Sequence, residues 1–350
     1  MARTIGLDIG SSALRAVQVT TGGRGPAALE RVGQVALPPG AVRDGEVAEP
    51  DAVVESLRAL WSRFGFKGRQ VALGVANQQV VVRQLDLPYL PESELRQSLG
   101  FQVQDAIPIP VEQAILDFHV LDTLETGEGQ RISRIMLVAA QRQMIDAVLD
   151  VVGRARLEPV ALDLQAFAVL RSLAPPGVLT GSQGELLVDV GAAVTNIVIH
   201  EGGVPRFVRI LLMGGSAITD SLVGALGMSH EQAERAKASI GLVAGDGGRD
   251  QATRLIAERA GSFVDELRGS LDYYQAQAEA VPVRRVVLTG GASQLPNLAE
   301  RLSDALGLPV QRGHPMQELR IGKVGIGHDE LVAAEPYLAV AIGLALGASA

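Results

Sequence analysis

Apolar positions along this chain fall into short alternating or continuous runs, broken by Gly-rich turns, with stretches of helical spacing between them. Thr4–Ile9 and Leu14–Val19 flank Gly10-Ser11-Ser12, a pattern that predicts a β-hairpin and not a strand-to-helix turn. Leu29–Leu37 and Val71–Ala76 read as further strands, separated by a helix over Asp51–Phe64 whose Val53, Val54, Leu57, Leu60 and Trp61 recur at helical spacing. From about Gln79 the texture changes. Val80–Leu87 predicts a strand and Pro91–Ala106 a helix. Ile107-Pro108-Ile109-Pro110 must then be extended, because proline fixes φ and restrains the residue before it. Leu116–Leu121 and Ile132–Ala139 flank the polar loop Glu125–Gln130 as a second hairpin, and a helix follows over Arg142–Arg154.

A strand over Val160–Leu164 and a helix over Ala166–Leu173 lead to the Pro/Gly-rich stretch Ala174–Gly184, the clearest linker in the chain. Phe207–Leu212 is a strand that ends in Gly214-Gly215 before a helix. Ser229 with Gln232 forms a capping box for the helix carrying Glu234 and Lys237. A long helix over Asp250–Glu279 carries Phe263, Leu267, Leu271 and Tyr274 along one stripe, which reads as core packing. Val286–Thr289 runs into Gly290-Gly291 and a helix from Leu295, and a closing helix covers Tyr337–Leu346. The sum is a mixed α/β protein. With 350 residues and 47% hydrophobic content it can bury a substantial core and divide into domains. We expect a first lobe over 1–78, continued by 157–185 and the closing helix 336–350. An inserted αβ subdomain is expected over 79–156, and a second lobe over 186–335 with a helical part at about 216–280.

Charge and composition narrow the function. Against 39 acidic residues stand 31 basic ones, no Lys/Arg-rich run occurs, and the formal charge of -8 excludes a nucleic-acid partner. The absence of cysteine excludes disulfides and thiolate sites and fits the cytoplasm. No signal-peptide pattern opens the chain, and the apolar tail Tyr337–Ala350 falls short of the roughly 20 residues of a membrane helix, so no direct membrane insertion is expected. The five histidines are dispersed without metal-ligand spacing, and no G-x-S-x-G elbow, G-x-G-x-x-G or P-loop motif occurs.

The chemistry lies in a repetition. LDIGSSALRAVQV, from Leu7 to Val19, and LVDVGAAVTNIVI, from Leu187 to Ile199, align so that Asp8 meets Asp189, Gly10 meets Gly191 and Ser11-Ser12 meet Ala192-Ala193. A single D-x-G is as readily a structural turn, but two in matching context predict facing hairpins that clamp a polyphosphate, with Asp8 and Asp189 holding Mg²⁺ through water. Gly214-Gly215 and Gly290-Gly291-Ala292, each after a strand and before a helix, either allow sharp turns or receive phosphate and purine. On that basis Asp8→Ala and Gly290→Val are expected to abolish nucleotide binding while leaving the fold intact.

These hairpins and the strand–GG–helix order resemble the superfamily of actin, sugar kinases and heat-shock chaperones, and within it the FtsA-like branch. PPGAVRDGEVAEPDAV, IPIPVEQAILDFHVL, VVLTGGASQLPNL and PYLAVAIGLALG extend the likeness along the whole chain to the PilM family of type IV pilus assembly. IPIP followed by LDF is the most specific of these. The resemblance implies an actin-like (ribonuclease H-like) two-lobed fold with an inserted FtsA/PilM-type subdomain, and ATP as cofactor. The cofactor-binding set it implies is Asp8, Gly10, Ser11, Ser12, Arg15, Asp189, Gly191, Thr195, Asn196, Gly214, Gly215, Glu234, Lys237, Gly290, Gly291 and Ala292. It also implies a cytoplasmic protein held at the inner membrane by the short N-terminal tail of a PilN-like membrane protein, with contacts to other pilus platform or motor proteins.

Departures from the superfamily pattern bear on turnover. Arg15 stands near the position where enzymatic members often carry lysine, and Asp189–Asn196 lacks one acidic group and a Gly pair, so hydrolysis is expected to be slow or absent. Gln165 resembles the water-positioning glutamine of actin, or is an ordinary helix-entry residue. Ile107, Pro108, Ile109 and Pro110 beside Leu116 and Phe118 either connect a helix to a strand or form a groove for an extended peptide, and the resemblance favours the groove. An FtsA-like division filament protein and a small-molecule kinase are the competing functions. Gly343–Ala348, however, lacks the basic face of a membrane-binding helix, and no acceptor-binding aspartate stands out.

Overall fold

In the computed structural model, which describes residues 2–22, 25–127, 129–174, 183–242 and 250–348, the chain opens with β1 (Ala2–Ile9), β2 (Ala13–Thr21) and β3 (Ala28–Ala36). The short pair β4 (Val42–Arg43) and β5 (Glu46–Val47), helix α1 (Pro50–Phe64) and β6 (Gln70–Val75) follow. Next come β7 (Val80–Pro88), α2 (Glu92–Val103), β8 (Ala114–Glu125), β9 (Arg131–Gln141), α3 (Arg142–Arg154), β10 (Glu158–Leu164) and α4 (Gln165–Leu173). The linker expected over Ala174–Gly184 lies largely outside the described residues. Beyond it run β11 (Gly184–Val190), β12 (Thr195–Glu201), β13 (Val204–Leu211), α5 (Ser216–Leu226), α6 (His230–Ile240) and α7 (Gln251–Gln275). The chain continues with β14 (Val283–Thr289), α8 (Leu298–Leu306), β15 (Val310–Arg312), β16 (Arg320–Ile321), α9 (His328–Ala334) and α10 (Ala339–Gly347).

The repeated sentence of the sequence is a repeated topology. One sheet has the order β10-β6-β1-β2-β3-β16 and the other β13-β12-β11-β14-β15. In each, an antiparallel three-strand meander adds a parallel strand beside its first member: β6 beside β1, β14 beside β11. The register repeats too, since Asp8 pairs with Arg15 and Asp189 with Asn196 at the same place in each hairpin. A third sheet, β7-β9-β8, belongs to the insertion.

Between the two large sheets lie α4 and α10. Val340 and Leu344 pack with Leu187, Val198 and Val208 of the second sheet, whereas Ala341, Ile342 and Ala345 pack with Val17, Val19 and Leu29 of the first. The approach is close enough to demand glycine: a Cβ on Gly6 would sit 2.0 Å from the Ala341 carbonyl oxygen, and one on Gly343 1.8 Å from that of Ala168. Burial between two sheets accounts for the apolar tail. Among the described residues no single helix is long and apolar enough to cross a membrane, and α9 with α10 passes only as a pair bent by 82°.

Two expected boundaries move. Met144, Ile145, Val148, Val151 and Val152 of α3 lie in one core with Leu57 and Leu60 of α1 and Leu73 of β6, so α3 belongs to the first lobe and the insertion closes near the end of β9 instead of at 156. The insertion's own core joins Leu87, Leu95, Leu99, Val103, Ile107, Phe118, Ile135 and Leu137. Likewise the second lobe does not run to 335. β16 pairs with β3, and Val324 and Leu331 pack with Val17 and Val19, so the chain has re-entered the first lobe soon after β15. The helix expected from Leu295 begins instead at Leu298, because Pro296 holds Leu295 at ψ 119.

Candidate functional site

The turns of the two hairpins face one another across a cleft of about 730 Å³. Asp8, Gly10, Ser11, Ser12 and Arg15 line it from the first lobe, and Asp189, Gly191, Gly214, Gly215, Glu234, Lys237, Gly290, Gly291 and Ala292 from the second, with Gln165 between them. Thr195 and Asn196 stand behind this surface. Thr195 is fully buried and its hydroxyl donates to the Met213 carbonyl at 2.7 Å, so it ties β12 to the end of β13 instead of facing a ligand.

Asn196 is the inner member of a polar chain that links the lobes. Its Nδ2 donates to Asp189 Oδ2 at 3.2 Å and to Gln165 Oε1 at 3.4 Å, and Gln165 Nε2 donates to Asp8 Oδ1 at 3.3 Å. Arg15 closes it, with Nη1 on Asp8 Oδ2 at 3.3 Å, Nε on Gln34, and the guanidinium 5.3 Å from the Tyr337 ring centre. Both carboxylates are buried, 5% and 7% exposed. Burial pushes Asp8 above the usual carboxylate range against the pull of Arg15. Asp189 is pushed up to about 6, first by burial, with the Asn196 bond opposing and the Asp8 charge adding. Asn196 Oδ1 is buried with no hydrogen-bond partner among the described residues.

The glycine loops divide their duties. The Gly215 N–H donates to Gly191 O at 3.0 Å and the Ser216 N–H to Ala192 O at 2.8 Å, so the start of α5 is clamped onto the second hairpin and those two donors are spent. In the two hairpin turns the N–H groups of Ser11, Ser12 and Ala192 meet no acceptor among the described residues, and all three residues line the cleft. Gly290 has φ 89, and a Cβ there would lie 2.4 Å from the Val190 carbonyl oxygen. The expectation that Gly290→Val leaves the fold intact is therefore withdrawn: the side chain would strike β11 backbone before any ligand. Gly215 and Ala292 do face each other, a Cβ on Gly215 falling 2.8 Å from Ala292 Cβ and 3.5 Å from Lys237 Nζ.

At the far wall α6 presents an ion pair. Lys237 Nζ donates to Glu234 Oε1 at 2.7 Å, Thr219 Oγ1 at 2.9 Å and Gly215 O at 3.2 Å. Burial works against ionisation of Glu234, but the bonds from Lys237 and Thr219 outweigh it and hold the carboxyl below its usual range. His230, Arg259, Phe263 and Tyr337 also line the cleft. None was singled out for chemistry from the sequence. Arg259 and Phe263 are one helical turn apart on α7, a spacing that reads equally as packing.

The proposed groove residues separate. Ile107 and Phe118 are buried in the insertion's core, Phe118 beneath the Arg96 guanidinium at 4.9 Å, so neither is a free anchor. Ile109 and Leu116 are half-buried at its rim, Pro108 and Pro110 are exposed, and Phe101 on α2 is 79% exposed.

Comparison with known proteins places this geometry. The family described as type IV pilus assembly protein PilM matches residues 6–349. A solved PilM-PilN type IV pilus biogenesis complex is similar with a TM-score of 0.85 at 28% identity, covering 99% of this chain and 98% of that one. Cell division protein FtsA of Pseudomonas aeruginosa is 27% identical over 356 residues, 89% of this chain and 82% of its own length. MreB5 of Spiroplasma citri bound to ADP has a TM-score of 0.55 at 14% identity, with 98% and 95% of the chains covered. The fold is the actin-like one that the resemblance implied.

Proposed function

The chain belongs to the PilM family of type IV pilus assembly proteins, and from that premise we propose that it binds Mg–ATP in the cleft with slow or absent turnover. We propose further that it serves as a scaffold on the cytoplasmic face of the inner membrane, holding the N-terminal tail of a PilN-like membrane protein. The observation that carries the nucleotide assignment is the pair of buried carboxylates brought together from equivalent hairpins, beside donors that the protein leaves unused. A carboxyl pushed up to about 6 by burial is a site that gains from a cation. Asp8 and Asp189 suit Mg²⁺, which keeps most of its water and takes few protein ligands. When bound, the ion would neutralise phosphate charge.

The chain's own residues account for slow turnover. Gln165 engages Asp8 with its amide nitrogen and Asn196 with its amide oxygen, so it braces the two lobes and is not free to orient water. Arg15 directs its charge at Asp8. Lys237 and Glu234 offer a donor and an acceptor to the hydroxyls of a sugar. The PilM-PilN composition of the similar complex supports a PilN-like partner, and half-buried Leu116 and Ile109 with exposed Phe101 supply the apolar anchors of a peptide groove.

Calorimetric titration with Mg–ATP should give saturable binding that Asp8→Ala abolishes, while circular dichroism of the variant stays native. Steady hydrolysis at about 1 per second or faster, the ordinary range for enzymes, would overturn the scaffold assignment. A peptide copying the cytoplasmic tail of the PilN-like protein should bind wild type, and bind Leu116→Asp at least tenfold more weakly. Equal affinities would move the groove elsewhere.

A further inference from the structure

A second cavity, of about 690 Å³, opens on the first lobe at the end of the sheet remote from the cleft. Arg3, Arg31, Lys67, Arg320 and Lys323 line it, against a single carboxylate, Glu30. The register explains the gathering. Arg3 pairs with Thr20, Thr20 with Ala28 and Ala28 with Arg320, so the two arginines share one row across four strands. A bulge between Gln18 and Val19 gives β3 an extra residue at Glu30, beside Arg31. Arg3 lies five residues before Asp8 on β1, which sets the pocket roughly 16 Å from the cleft.

The charges there are not balanced. Glu30 is occupied by Arg3 Nε at 3.1 Å and Gln18 Nε2 at 2.9 Å. Arg31 is held in place by a carbonyl, Phe64 O at 2.7 Å, which fixes the guanidinium without neutralising it. Among the described residues Arg31, Lys67, Arg320 and Lys323 make no ion pair. Arg3, Lys67, Arg320 and Lys323 are exposed, so the cluster is a solvated positive patch that stands out in a chain of formal charge -8 and draws anions to it. The volume lies within the range of small-molecule sites and is concave, and Ile321, 46% exposed, is the one large apolar residue on its rim, too little for a lipid surface to grip.

We propose that this outer pocket is a second anion site, which takes a compact ligand bearing two or more phosphate groups, independently of the cleft. Arg31 is the preset donor pair, and Lys67, Arg320 and Lys323 close on the remaining charge. Two exposed side chains test it without touching the core: Arg320→Gln with Lys323→Gln in the full chain. With the cleft saturated by Mg–ATP, pyrophosphate titrated into wild type should bind with an affinity that falls as salt rises, and the double variant should bind at least tenfold more weakly. The variant's circular dichroism and its affinity for Mg–ATP should be unchanged. Pyrophosphate affinity equal in the two proteins, or no binding at millimolar pyrophosphate, would overturn the assignment. So would binding of phosphatidylglycerol vesicles that the double variant loses while pyrophosphate is ignored, since that would make the pocket a lipid contact.

Discussion

Replacing Asp189 by asparagine separates the cost of the site from its use. In the folded chain the carboxyl is 7% exposed and titrates at about 6, against an ordinary value of 3.8. Two units of upward shift, at about 1.4 kcal/mol each, mean that ionised Asp189 costs the native state roughly 3 kcal/mol at pH 7.5. Asparagine keeps an oxygen to accept the Asn196 bond and removes the charge, so the variant should be more stable than wild type by about 2–3 kcal/mol. At about 2–4 °C per kcal/mol that is several degrees in Tm. The sign fixes the pH dependence. Between 3.8 and 6 the folded carboxyl retains a proton that the unfolded one has lost, so wild-type stability falls as pH rises through that window. The advantage of the variant is therefore full above pH 7, about half by pH 5 and nearly gone at pH 4. Urea unfolding followed by circular dichroism at those values measures it, and Mg–ATP titration of the same samples should show binding lost. A variant less stable than wild type at pH 7.5, or an advantage that does not shrink toward pH 4, would refute burial as the dominant influence on this carboxyl.

Gly290→Val should cost about 3 kcal/mol or more, because φ 89 excludes a β-branched residue and its Cβ overlaps Val190 backbone; thermal unfolding measures it, and a native Tm would contradict the geometry. Phe118→Ala should cost about 3–5 kcal/mol and act on the insertion alone, so that hydrogen exchange quickens in β8 and β9 while Mg–ATP affinity holds. Lys237→Met should weaken Mg–ATP binding roughly tenfold or more and let burial carry the Glu234 carboxyl upward, visible as a higher titration midpoint by carbon-detected NMR.

Hairpins were legible because they are written locally. Asp8 and Asp189 sit at the ends of apolar runs before glycine, and that pattern fixed both strand and turn; so did the Ser229–Gln232 capping box. What stayed hidden was set by partners distant in sequence. Nothing in the spacing of Met144, Val148 and Val151 tells that they face α1 and not the insertion's sheet, because an amphipathic helix declares a buried face and not its neighbour. Phe118 alternates properly in its strand, yet only the fold decides that its face is the inner one. Tyr337 and Arg259 come to the cleft from elements that read as packing, and the clamp of α5 onto the second hairpin is made of backbone groups that every residue carries.

Gly6 needs Ala341 and Gly343 needs Ala168, so the first lobe is sealed by a helix written some 330 residues after its first strand. For a chain made from its N-terminus, that arrangement sets a clock. At roughly 5–20 residues per second, β1 and β2 spend tens of seconds on the ribosome with Val17 and Val19 unroofed, while the insertion, whose core closes within Leu87–Ala139, is already complete. Ribosome-stalled chains ending near Gly290 should accordingly carry a protease-resistant insertion on a first lobe still open to cleavage, and extension that carries Gly347 clear of the ribosome should protect both. The nucleotide cleft, flanked by the same helix, then forms only after α10 has docked, which ties the first moment of ligand binding to the emergence of that helix.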